Sequence, residues 1–507
     1  MSRRVSQEPG YGYTFEPKYP RSDNTAPLLV LHEHPPNPHQ NGDLPQYNHN
    51  GHKVTKGIQP DGESGRKGIH PLRFVRICFR STSRLSKWLN VLWPFIPAAI
   101  AIYYARPDAH LWIFILNYIA MIPAANLLGF AGQEMARKVP RVAGIILETT
   151  FGSIVEFILF MVLITDPHSV SHHIHIIRAA ILGSILANLL LCLGAVFFIG
   201  GCRRDEQEFH DAVSEVGSNL MLVAGMGLVV PAVFSAALST ENGNAFARET
   251  LNISRATAVI LLFAYLVFIY FQVQTHHSLY SDVLLADEQK DVDRHKDLAK
   301  EKLTLTECIV ALALALTFVT LISIFLVRQI EYIVSARGIS DAFLGLILVP
   351  LVEKTAEHLT AVDEAWDNQM NFALSHILGS CVQTALLNTP LVVIVGWGLG
   401  RPMDLHFETF DAVVLVLAIL VVGNFLRDGK SNYLEGVLCV LVYMVIAISA
   451  FYYPNPSGGY ETASGGTAEA GVGIGGRRSL FGCAAGKGAR LSWSRSLSDV
   501  GVDPLSI

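Results

Sequence analysis

The chain has 507 residues, of which 51% are hydrophobic and only 16% charged, with a mean hydropathy of +0.38. That balance is too apolar for a water-soluble globule of this length and points to the bilayer as solvent. The net charge is −5 and the basic residues sit in short loops and tails, so there is no continuous basic face and nucleic-acid binding is excluded.

Residues 1–85 are rich in Pro, Asn, His and Gly and hold no apolar signal segment. Such a composition buries too little apolar surface to offset chain entropy, so a disordered cytosolic arm is expected, with no fixed geometry for His32, His34 and His39. A preliminary span follows at 86–105. Arg66, Lys67, Arg73, Arg76, Arg80, Arg84 and Lys87 precede it, which places the N-terminus in the cytosol. Stretches of roughly 20 apolar residues then recur at 109–130, 143–165, 175–200, 218–239 and 254–275, a first repeat over 109–275. Residues 276–304 alternate acids and bases at helical spacing and read as a solvated, charged cytosolic linker. A second repeat over 305–453 carries spans at 305–328, 340–364, 371–398, 408–426 and 432–453, and 454–507 reads as a disordered tail. The expectation is an all-α polytopic membrane protein of about 11 transmembrane helices, one preliminary helix plus two five-helix repeats.

Parity supports this count, because the loops holding Arg137, Lys138 and Arg141, then Arg203 and Arg204, then Arg427 and Lys430 all fall on the cytosolic side. Arg328 and Arg337 are exceptions on the far side, where the Asn252-Ile253-Ser254 sequon also falls. The seven cysteines are scattered with no CxxC pair and read as small core residues.

The two halves resemble each other. Ile181-Leu182-Gly183-Ser184 returns as Ile377-Leu378-Gly379-Ser380, and the preceding span carries a glutamate each time, Glu156 in FGSIVEF and Glu357 in EKTAEHL. With an odd number of spans per repeat, the second enters the membrane from the opposite face, which is the inverted architecture of alternating-access carriers. An ionisable group at mid-bilayer costs at least ~2.5–3.5 kcal/mol and needs a partner or an aqueous pathway. Two glutamates from symmetry-related helices suit a hard cation such as Ca²⁺, and protons can compete for the same oxygens. The plainer alternative is that each glutamate pairs with a base inside the bundle. Enzyme classes are set aside, since no HExxH, HxxEH, G-x-S-x-G or P-loop occurs.

From Trp93 to Pro454 the chain resembles the calcium/proton exchangers of the cation/calcium exchanger superfamily, in their vacuolar form. The most specific pieces are ILGSILANLLLCLG (181–194), GISDAFLGLILVPLVEKTAEHLTAV (338–362), GSCVQTALLNTP (379–390) and DGKSNYLEG (428–436). The resemblance implies a Ca²⁺/H⁺ antiporter of the vacuolar membrane with Glu156 and Glu357 as cation and proton ligands. Gly152, Ser153, Gly183, Ser184, Asn188, Gly379, Ser380 and Gln383 then line the route. No cofactor is implied beyond the transported ions, lipid is the surrounding partner, and the oligomeric state is open.

The family motif reads GNxxE, whereas this chain has Ser153 and Lys354 in place of the two asparagines and Glu353 in place of a glycine. Glu148 stands for an asparagine, Arg178 for a glutamine and His376 for an aliphatic residue. Glu148 and Glu353 add two negative charges while Lys354 and Arg178 add two positive ones. An ammonium has three donors and no acceptor, so Lys354 cannot coordinate Ca²⁺. Three readings follow: Lys354 swings away to pair with Glu353 or Glu148, its ammonium takes the place of the lost cation, or it neutralises the site permanently. The alternatives to Ca²⁺ exchange are a carrier of another, monovalent cation and a transport-inactive interaction protein. His168, His172, His173 and His175 form a far-side loop cluster, and Asp363, Glu364 and Asp367 a charged helix end.

Overall fold

The computed structural model describes residues 47–48, 50–167, 170–238, 247–291 and 294–454. Most of the arm, His168 and the tail beyond residue 454 lie outside the described residues.

The arm is folded from residue 50 onward, which corrects the expectation of disorder through residue 85. The anchors are polar rather than apolar. Lys138 donates through Nζ to the carbonyls of Gly62 (2.6 Å) and Leu303 (2.8 Å), and Arg80 donates to the Glu301 carbonyl at 2.6 Å. Buried Glu307 accepts from the His70 amide (3.1 Å) and from Arg66 (3.4 Å). Helix α1 (Pro71–Arg80) then sets Ile77 and Cys78 into the core, and α2 (Arg84–Leu89) leads into α3 (Phe95–Ala105).

The first repeat comprises α4 (His110–Ala136), α5 (Arg141–Thr165), α6 (Val170–Leu186), α7 (Leu193–Gly201), α8 (Asp211–Leu238) and α9 (Ala247–Tyr270). A π-helical turn, Ala187–Cys192, joins α6 to α7 as one span. The linker forms α10 (His277–Lys290) and α11 (Arg294–Ala299). The second repeat comprises α12 (Leu305–Arg337), α13 (Asp341–Phe343), α14 (Val349–Trp366), α15 (Met370–Gln383), α16 (Thr389–Gly398), α17 (Thr409–Phe425) and α18 (Tyr433–Phe451). Here π turns at Leu344–Leu348 and Thr384–Asn388 join α13 to α14 and α15 to α16. Among the described residues nine helices are long and apolar enough to cross a membrane. The two other expected spans are helical as well. Residues 341–366 carry six acidic or basic side chains, and α17 is shorter, at 17 residues.

Helices α4 and α12, which begin the two repeats, pack along each other. The helices after each Gly-Ser pair are brought close to the opposite repeat. A Cβ on Gly183 would collide with the backbone of Leu346, and one on Gly379 would press on Thr149 at 3.3 Å. The DGKSNYLEG segment has a plain physical reading. Gly429 takes a left-handed conformation (φ +72°), Lys430–Ser431 pairs antiparallel with Gln207–Glu208, and Asn432 caps α18 by accepting from the amides of Leu434 (3.0 Å) and Glu435 (3.2 Å).

Two expectations change. His172, His173 and His175 belong to the first turns of α6 rather than to a loop, and His172 Nδ1 lies 3.0 Å from Asp341 Oδ2. The linker is not simply solvated, since α10 buries Tyr280, Val283, Leu284 and Asp287. The Asp287 carboxylate accepts from the amides of Asn371 (2.8 Å) and Phe372 (3.2 Å) and from the Asn371 side chain (3.1 Å), capping the free N–H groups of α15. Asp287→Ala is expected to lower stability by about 1–3 kcal/mol, read as a fall in thermal unfolding temperature in detergent. An unchanged midpoint would remove the cap from the account.

Lys302, just before α12, is buried beside Arg137 and Lys300, and desolvation pushes its ammonium down to about 7. Above that pH the unfolded chain still binds a proton that the folded chain has lost, so this residue makes stability rise with pH until the unfolded lysine titrates near ~10.4. Lys302→Met is expected to flatten that rise, checked by thermal unfolding of both proteins across the pH range. Parallel curves would contradict it.

Candidate cation-binding site

Helix α5 carries Glu156 with its side chain fully buried, and α14 carries Glu357, whose side chain is 23% accessible. Gly152 lets the two helices meet, because a Cβ there would collide with the Glu357 carboxylate. Between the glutamates lies the Lys354 ammonium, itself fully buried. Its Nζ is 3.4 Å from Glu156 Oε2, 3.3 Å from Glu357 Oε1 and 3.2 Å from Ser380 Oγ. The ammonium thus hydrogen-bonds to Glu357 and Ser380 and forms an ion pair with Glu156. Ser380 donates its hydroxyl to Glu357 Oε2 at 2.8 Å.

The two repeats supply the shell crosswise. Glu156 Oε2 accepts from Thr384 (2.8 Å) and Asn388 (3.3 Å), both in the π turn of the second repeat. In return Asn188, in the π turn of the first repeat, holds Oδ1 3.0 Å from His358 Nε2. Gln383 donates to Thr149 at 2.7 Å. Such turns, which widen a helix locally, recur at functional sites. Ser153 and Ser184 are buried beside the pair, and Glu156 Oε1 and Ser153 Oγ have no hydrogen-bond partner among the described residues. No group of three His, Cys, Asp or Glu side chains among the described residues is arranged to hold a metal ion, so the pair is complemented by hydroxyls, amides and the ammonium.

The substituted positions separate into three places. Lys354 pairs with neither Glu353 nor Glu148; its ammonium sits between the two glutamates. Glu353 is buried with both carboxylate oxygens unpartnered among the described residues. Glu148 instead faces His376. Arg178 is not gathered to the glutamates; it forms an ion pair with Asp404 and lines a small separate cavity with His175 and Asp411. The sequence gives no sign of a site role for Thr384, Asn388 or His358 taken singly. Aligning the repeats would have exposed the first two, because Thr384 stands four residues after Ser380 as Asn188 does after Ser184, and Asn388 matches Cys192.

A cavity of about 300 Å³ lies on the linker side, reaching Glu148, Glu364 and His376. A smaller one of about 40 Å³ shares Glu148 and His376 and ends at Glu357 and His358. Glu357 is thus approached from the linker side, while Glu156 is sealed.

Two helical repeats that each bring a glutamate to one shared ammonium inside the bundle define a membrane carrier. The chain belongs to the sodium/calcium exchanger protein family, which matches it over residues 109–274 and 308–452, one segment per repeat. It is 31% identical over 395 residues to vacuolar cation/proton exchanger 2 of Oryza sativa subsp. japonica, covering 78% of this chain and 87% of that one. It is 32% identical over 371 residues to the vacuolar calcium ion transporter of Schizosaccharomyces pombe, covering 73% and 86%. Among solved structures it is similar to the Ca²⁺/H⁺ antiporter protein YfkE, with a TM-score of 0.57, 27% identity and coverage of 73% of this chain and all of that one. With its apolar helices the chain is an integral membrane protein.

Removing the ammonium leaves two carboxylates facing each other, that of Glu156 sealed from water. Lys354→Met is expected to cost about 3–5 kcal/mol, the range for breaking a buried ion pair on one side. Thermal unfolding in Ca²⁺-free detergent checks this, and a stability equal to wild type would show the charges are not coupled as described.

Proposed function

We propose that this chain exchanges a cation for protons, Ca²⁺ for H⁺, across a vacuolar-type membrane by alternating access. The carrying observation is that both repeats bring a glutamate within 3.4 Å of one buried positive charge, so the bundle already stabilises a cation at that point. The relatives' activities support Ca²⁺ as that cation, and the oxygens of Glu156, Glu357, Ser153, Ser380 and Thr384 are of the hard type it prefers. The linker side is the cytosolic side by the distribution of basic loops, so Ca²⁺ enters through the larger cavity. Lys354 is then a tethered competitor that must withdraw as the ion binds. Glu353, next to it in the chain and unpartnered, supplies an acceptor for the displaced ammonium.

A second reading rests on the same lysine: paired with both glutamates, the ammonium can act as a lock that bars Ca²⁺, leaving a carrier of a monovalent cation or a transport-inactive protein. Reconstituted vesicles with an imposed pH gradient separate these. Wild-type Ca²⁺ uptake that collapses with the gradient is expected, and Glu357→Gln should reduce it at least about tenfold, the equivalent of losing one charged contact of ~1.5–3 kcal/mol. Lys354→Asn should raise apparent Ca²⁺ affinity. Uptake seen only in Lys354→Asn would establish the lock, and proton-driven flux of K⁺ or Na⁺ without Ca²⁺ would establish the monovalent carrier.

A further inference from the structure

The charge count at the glutamate pair leaves a question about the proton. With Lys354 between them, Glu156 and Glu357 keep one positive charge against their two negative ones when the transported cation is absent, so a single proton would neutralise the pair. A second exchanged proton has to sit elsewhere.

His376, on α15, is held between two carboxylates from two other helices. Its Nδ1 is hydrogen-bonded to Glu364 Oε2 on α14 at 2.9 Å, and its Nε2 lies at ion-pair distance, 3.3 Å, from Glu148 Oε2 on α5 without a hydrogen bond among the described residues. A neutral imidazole has one N–H and one lone pair, and the lone pair would face an anion. The arrangement therefore calls for one added proton, either as an imidazolium or as a carboxylic acid on one flank. The three residues also mark the junction of the cavities: all three line the larger, and Glu148 and His376 line the one that ends at Glu357.

We propose that Glu148, His376 and Glu364 form a proton-binding site, distinct from the glutamate pair, that carries a coupling proton of the exchange. This rests on the proposed Ca²⁺/H⁺ antiport. A Ca²⁺ ion moving from the cavity toward Glu357 passes the two carboxylates, and its charge expels the proton to the water of the cavity. The N–H bond breaks, the imidazole is left neutral and both carboxylates face the cation. When the ion has gone, the proton returns.

Other charged groups reach this place from each neighbouring element. Arg137 at the end of α4 lines the larger cavity, with Asp363 and Asp367 at the end of α14 and Glu288, Arg294 and Lys302 in the linker. Asp287 of α10 is turned to the start of α15. Asp211 and Glu215 of α8 are exposed, α7 has no ionisable residue, and those of α6 lie in its first half.

The test measures Ca²⁺ and H⁺ fluxes together in the same vesicles for the full-length protein and for His376→Gln, whose amide keeps the size and hydrogen bonds but binds no proton. The expected result is a proton-to-calcium ratio lower by one, and Ca²⁺ uptake that loses its dependence on pH on the linker side. Glu364→Gln serves if the first variant does not fold, with the same loss expected. Slower flux at an unchanged ratio and pH profile would mean a merely structural role and overturn the proposal while the antiport stands. Absence of proton-coupled Ca²⁺ flux in the wild type would overturn both.

Discussion

Much of the architecture depends on one buried positive charge. An ammonium removed from water loses several kcal/mol of hydration, which its neighbours must restore through short contacts with fixed geometry. Lys354 finds these contacts only because α5, α14 and α15 converge on it, and they can converge only because Gly152 leaves room for Glu357. The π turns follow from the same requirement. By widening the helix where it crosses the site, they let Thr384 and Asn388 both address Glu156. Ion pair, close helix approach and broken helix regularity form one construction.

The two repeats correspond in the order of their spans but not in their chemistry. Glu156 is sealed and receives its hydrogen bonds from the other repeat, whereas Glu357 is reached by the linker-side cavity and is bonded by Ser380 of its own. His358 takes the amide oxygen of Asn188, which by symmetry would have served Glu357.

The membrane spans were legible in the sequence because a bilayer demands long apolar stretches and leaves few alternatives for the backbone. The glutamates were legible because charge inside such a stretch is rare, and Ser380 because it sits in a repeated tetrapeptide. What could not be read was the direction of long side chains. Nothing in the order of residues says that Lys354 turns to Glu156 rather than to Glu148, or that Arg178 turns away to Asp404. The folding of residues 50–85 was also hidden, since hydrophobic content underlies expectations of disorder and this segment is held by hydrogen bonds from Lys138, Arg66 and Arg80.

The linker helix has a mechanical meaning as well. At one end Tyr280 donates its hydroxyl to the Ala212 carbonyl of α8, and at the other Asp287 grips the first amides of α15. One rigid helix thus bridges a member of each repeat, like a strap across a seam. Rocking of the repeats against each other cannot part α8 from α15 while both ends hold, so the displacement must be taken up along other seams, with the strap carried as cargo.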